Sequence, residues 1–183
     1  YSSKNLAFDL IAFLATVVFV VVLDWQTRDV IWGLWICSLT VGYAYIVIAI
    51  VSSVIHADVD QKAAAILQGL FLIPFFSVHF GMFHYVHGVF LNIFFPLIEE
   101  GQGFPSLFAM LSTTMTLFWP LVLTTFISKI SDFQFKGVDL KGNSAFMKPY
   151  ANVVRMHLLI FVFAGLHFSG MSQMAIYPVL LAY

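Results

Sequence analysis

The chain has 183 residues, 61% hydrophobic, 17% aromatic and 9% charged, where a soluble domain carries about 25% charged residues. Its net charge is −1, with no basic tail and no Lys or Arg cluster interleaved with aromatics, which argues against a nucleic-acid partner. The single cysteine, Cys37, excludes an intramolecular disulfide. Long apolar runs in place of short alternating segments favour an all-α polytopic transmembrane helix bundle, one domain over 1–183, over a transmembrane β-barrel.

Residues 6–23 form the first expected span, with Asp9 one turn inside its start, where the helix dipole favours a carboxylate. The run is nearly a full span and lacks a basic n-region and an A-x-A site, which sets it apart from a signal peptide. After the polar turn DWQTRD, residues 30–55 make the second span. Trp32 and Trp35 at its start suit the headgroup boundary, and Ser38, Gly42 and Ala49 give it a small-residue face. His56, Asp58, Asp60 and Lys62 then form a short connection. The His-x-Asp-x-Asp spacing is that of a metal site, but a short loop between spans is polar in any case.

The third run, Ala63 to Ile98, holds S-V-H-F-G-M-F-H-Y-V-H-G at residues 77–88. Ionisable side chains in the middle of a span are costly and mark functional sites. At about 100° per residue, Ser77, Gly81, His84 and Gly88 share one stripe, while His79 and His87 lie on the other flank. Polar groups on two flanks predict that this is the most enclosed helix of the bundle. The run exceeds the roughly 20 residues that a span needs, so Pro74 is expected to kink it and Pro96 to end it, with residues 63–70 starting at the interface.

An acidic turn, Glu99 to Gly103, precedes a fourth span at 104–127 that contains Pro120. Its Ser112, Thr113, Thr114 and Thr116 can bond across helices or to their own carbonyls. Residues 129–150 are the one substantial extramembrane segment, and residues 151–170 form a fifth span with His157 and His167. A sixth begins near Met174 and stops about halfway at Tyr183, giving about six spans with the last one truncated. With alternating spans, Lys4, Lys62, Lys129, Lys136, Lys141, Lys148 and Arg155 fall on one side and Arg28 on the other. This asymmetry places the N-terminus in the cytoplasm.

His79, His87 and His157 are the candidate metal ligands, with His84 and His167 as additional ones, and His157 is expected at nearly the depth of His79. Imidazole suits copper, zinc, iron and haem alike, so ligand type does not choose the cofactor. No HExxH, GxSxG or Walker loop is present to name an enzyme class.

Two segments carry a family resemblance. FLIPFFSVHFGMFHYVHGVF at 71–90, with its V-H-x-G-M-F-x-x-V-H-G core, and FMKPYANVVRMHLLIF at 146–161, with M-x-x-P-Y and a following His, resemble an uncharacterised family of bacterial multi-pass integral membrane proteins known only as a domain of unknown function. The resemblance points to His79, Gly81, Met82, Phe83, His87, Gly88, Pro149, Tyr150 and His157, and implies a bacterial cytoplasmic membrane location. It names no activity. Two readings follow: an intramembrane histidine site for a transition metal or haem, or an accessory subunit, in a homo-oligomer or larger membrane complex, whose histidines are hydrogen-bond glue between helices.

Overall fold

The computed structural model describes residues 3–98, 103–130, 133, 144–175 and 177–178. Five α-helices follow in order: α1 (Ser3–Val22), α2 (Thr27–His56), α3 (Val59–Phe94), α4 (Leu107–Lys129) and α5 (Ser144–Phe168), then a 3-10 turn at Ser172–Ala175. No strand occurs among the described residues, so the all-α class holds. Three helices, α2, α3 and α4, are long and apolar enough to cross a membrane, while the apolar stretches Ala7–Val22 of α1 and Val153–Phe168 of α5 are shorter. Most of the expected sixth span and of the 129–150 segment, and the acidic turn before Gly103, lie outside the described residues.

Local chemistry sets the helix ends. Asp24 closes α1 at φ 50°, with the Trp25 N–H donating to the Val20 carbonyl at 3.0 Å; aspartate tolerates this left-handed position better than most residues. The Asp29 carboxylate accepts from the Gln26 N–H at 2.9 Å and opens α2. Ser106 Oγ accepts from the Ala109 N–H at 3.1 Å, so α4 starts at Leu107, three residues later than the apolar run suggests. α3 runs as one helix through Pro74 and stops at Phe94, just before Pro96. Asn92 then takes over the turn: its Oδ1 accepts from the Leu97 and Ile98 N–H groups, both at 3.0 Å. The kink expected in α3 appears in α4, where Phe118 (φ −116°, ψ 17°) leaves helical geometry two residues before Pro120. Proline removes one rung and crowds the carbonyl four residues back.

The central helix is α2, not α3. α2 packs against α3, α4 and α5, α1 packs on α4, and α3 meets α5. Over its most apolar stretch 56% of α2 is buried, against 22% of α3. Two features of α2 account for this. Its small residues admit large neighbours: Phe80 lies directly over Gly42, where a Cβ would overlap the ring. Its tryptophans are core anchors: Trp32 and Trp35 are both 0% exposed. The Trp32 indole N–H donates to the Phe95 carbonyl at 2.8 Å and that of Trp35 to the His84 carbonyl at 2.9 Å. A buried indole needs such an acceptor, and α3 supplies both.

Candidate functional site

The stripe of small residues on α3 faces α2, with Gly81, His84 and Gly88 all buried. Gly88 has a defined task. A Cβ there would stand 2.6 Å from Met110 Sδ and 3.3 Å from Trp35 Cζ2, so its absence lets the indole reach the backbone carbonyl of His84. The His84 ring lies 3.1 Å from the Phe80 carbonyl through Nδ1 and 3.3 Å from Ser38 Oγ through Nε2. A carbonyl can only accept, so Nδ1 carries the hydrogen in the neutral ring and Ser38 donates to Nε2. Both nitrogens of His84 are satisfied.

On the flank toward α5 the arrangement differs. His87 is 1% exposed, and its Nε2 lies 2.8 Å from Nδ1 of His157, with ring centroids 4.3 Å apart and planes at 79°. His157 Nδ1 also lies 3.2 Å from the Val153 carbonyl one turn back. A hydrogen on His157 Nδ1 serves both contacts, whereas a bare Nδ1 would set its lone pair against that carbonyl. His87 Nε2 is then the acceptor, and the His87 hydrogen sits on Nδ1. That Nδ1 is the one buried side-chain nitrogen or oxygen without a partner among the described residues.

The expected pairing of His157 with His79 is not found. His79 lies on the exposed side of α3, stacked on Phe75 and edge-on to Phe83. Counting depth from an assumed entry near Leu70 placed α5 too far inward. The aromatic contacts give the true register of these helices: Tyr150 faces Phe76, His79 and Phe80, His157 faces Phe83 and His87, and His167 faces Phe94. The Tyr150 ring therefore occupies the level beside His79 and carries His157 up to His87. His84 lies 6.1 Å from His87 between centroids, and His167 is exposed. The His56 cluster is structural: His56 Nδ1 donates to the Ser52 carbonyl at 2.8 Å. Among the described residues no group of three or more His, Cys, Asp or Glu side chains is placed to hold a metal ion.

Sequence reasoning treated Ser38 only as a small residue for packing and did not see what lies behind it. A cleft of about 390 Å³ opens between α1, α2, α4 and α5, lined among others by Asp9, Thr16, Cys37, Ser38, Thr124, Thr125, Ser128, Lys129 and Arg155. Its side chains meet across helices, Thr16 Oγ1 lying 3.0 Å from Thr124 Oγ1, Thr125 Oγ1 3.3 Å from Cys37 Sγ, and Ser128 Oγ donating to Asp9 Oδ1 at 2.5 Å, while Thr16, Thr124 and Thr125 also reach carbonyls of their own helices. Asp9 is thus held by α4 and does more than sit at a helix start. Of the hydroxyl residues singled out earlier in α4, Ser112, Thr114 and Thr116 donate to carbonyls of their own helix.

An all-α bundle of long apolar helices, with a histidine pair formed by buried His87 of α3 and half-buried His157 of α5, is the class that fold and site define. The chain belongs to a family of unknown function, DUF6498, whose profile matches residues 1–183. No curated protein and no solved structure matches it.

Proposed function

We propose that this chain is a single-domain, multi-pass integral protein of the bacterial cytoplasmic membrane, N-terminus inside, whose centre of action is the His87–His157 pair, a site that holds and passes a proton within the bilayer. The apolar exterior supports the membrane setting: Leu67, Phe71, Val78, Phe108 and Phe161 are 66–80% exposed, a surface that water-soluble monomers rarely carry. With α1 and α5 counted as spans and a further span after Met174, the count reaches six.

The observation that carries the reading is the unpartnered Nδ1 of His87. Leaving a buried polar atom unsatisfied costs about 1–3 kcal/mol, and two histidines used only as glue would have no reason to bear it. An imidazole that passes a proton takes it at one nitrogen and releases it at the other, which requires one nitrogen engaged and the other open. A transition metal on the same residues, whether copper, zinc, iron or a haem iron, is the competing reading. The 2.8 Å spacing favours the proton, since a tetrahedral ion bonded at about 2.0–2.1 Å to each ring would hold the nitrogens roughly 3.3 Å apart. The glue reading draws on the contact of His157 with its own Val153 carbonyl, but it leaves His87 Nδ1 unexplained.

Purified protein with 15N-labelled histidine tests the reading. Coupling between His87 Nε2 and His157 Nδ1 through one shared hydrogen is expected, together with its loss in His157→Gln while the protein still assembles. A stoichiometric metal or a haem absorption band that disappears in His157→Gln would transfer the site to the metal reading.

A further inference from the structure

The cleft between α1, α2, α4 and α5 and the buried His84 share one side chain, Ser38. It lines the cleft and lies 3.3 Å from His84 Nε2. We propose that this cleft is a water-filled entry from the basic end of the bundle, and that Ser38 relays protons between it and His84; this rests on the proton-site reading of the neighbouring pair.

The cleft suits water. Its volume of about 390 Å³ is room for about a dozen molecules at roughly 30 Å³ each. Hydroxyls line it, that of Ser128 beside Asp9 and, nearer Cys37, those of Thr124, Thr125 and Ser38. Lys129 and Arg155 also line it, and they belong to the side that the positive-inside asymmetry assigns to the cytoplasm.

The relay balances. Because His84 Nδ1–H is committed to the Phe80 carbonyl, Nε2 is the lone pair that faces Ser38. Ser38 gives its hydroxyl hydrogen to Nε2 as a water in the cleft gives one to Ser38 Oγ, and a hydroxide equivalent returns to the bulk through the water column. The product is a His84 imidazolium with both N–H groups bonded. It faces Trp35 and Ser38 from α2 and His87 from its own helix, with His157 of α5 beyond His87. The charge thus arises 6.1 Å from His87, between centroids, where it biases the pair's proton without a direct bond.

The test uses the intact protein in membrane vesicles. Cys37, the only cysteine, lines the cleft beside Ser38, so a small charged methanethiosulfonate added from the cytoplasmic side should modify it. Deuterium exchange at the imidazole C2–H, read by peptide mass spectrometry, then follows His84. Buried His84 should exchange faster than outward-facing His79, which borders lipid, and Ser38→Ala should slow His84 by at least about fivefold, with Ser38→Thr restoring it. If Cys37 resists the charged reagent while a membrane-dissolved maleimide labels it, the cleft is dry and the entry route is wrong. An unchanged His84 rate in folded Ser38→Ala overturns the relay in the same way. Either result leaves the 15N coupling between His87 and His157 intact, whereas absence of that coupling removes the proton site itself, whatever Cys37 does.

Discussion

The two flanks of α3 each bury a histidine, His84 toward α2 and His87 toward α5, and they finish the job differently. Toward α2, every polar group is answered: Trp35 meets the His84 carbonyl, Ser38 and Phe80 meet its ring, and the glycines bring the backbones together. Toward α5, aromatic edges surround a pair with one nitrogen unanswered. A buried polar group that is fully bonded stabilises the fold, while one left open makes sense only if something arrives there. The residues that anchor the first flank, Trp35 and Gly88, should therefore govern stability, and the pair on the second should govern activity at little cost in stability.

Trp35→Ala should have the largest effect, about 3–5 kcal/mol of destabilisation from lost packing, together with an unanswered His84 carbonyl between α2 and α3; reversible unfolding in mixed micelles would measure it. Gly88→Val comes next. It drives carbon into Met110 and Trp35 and should cost about 1–3 kcal/mol by overpacking. A loss much below that would show that α2 and α3 can separate freely, and would weaken the contrast. His87→Phe reverses the sign: it keeps a ring and removes the orphan, so stability should stay level or rise by up to about 1 kcal/mol, while the shared-hydrogen signal vanishes. A clear destabilisation would put His87 with Trp35 as a structural residue. The smallest effect is expected from His79→Ala, within about 0.5 kcal/mol and with the His87–His157 coupling unchanged, even though His79 stands in the same sequence motif.

That last residue shows how far the sequence could be read. Fold class and five of the helices follow from apolar runs, and the stripe of Gly81, His84 and Gly88 follows from helical period alone, because both are local properties. Which histidine meets His157 is not local. It depends on how far α5 slides along α3, and that offset is fixed by the Tyr150 ring lodging against Phe76, His79 and Phe80, a contact without any periodic signature. Trp32 and Trp35 were half legible for a related reason. Their place at the start of a span suggests headgroup depth, while their burial and their carbonyl acceptors at Phe95 and His84 come only from tertiary packing. The prominence of α2 was hidden too, since small residues such as Gly42 do not show in the sequence which neighbour's ring they admit.

The bond from Trp35 to the His84 carbonyl also decides which part of the site can move. It grips the main chain of α3 one turn from His87, so α3 cannot turn about its own axis without breaking it. Trp32 on the Phe95 carbonyl and Phe80 over Gly42 lock the same azimuth at two other levels. α5 meets α3 through the rings of Tyr150, His157 and His167 and one imidazole–imidazole hydrogen bond, and it packs on α2 as well. With α3 held at three levels, the His87 ring keeps its place, and its bond to His157 depends on how α5 is seated.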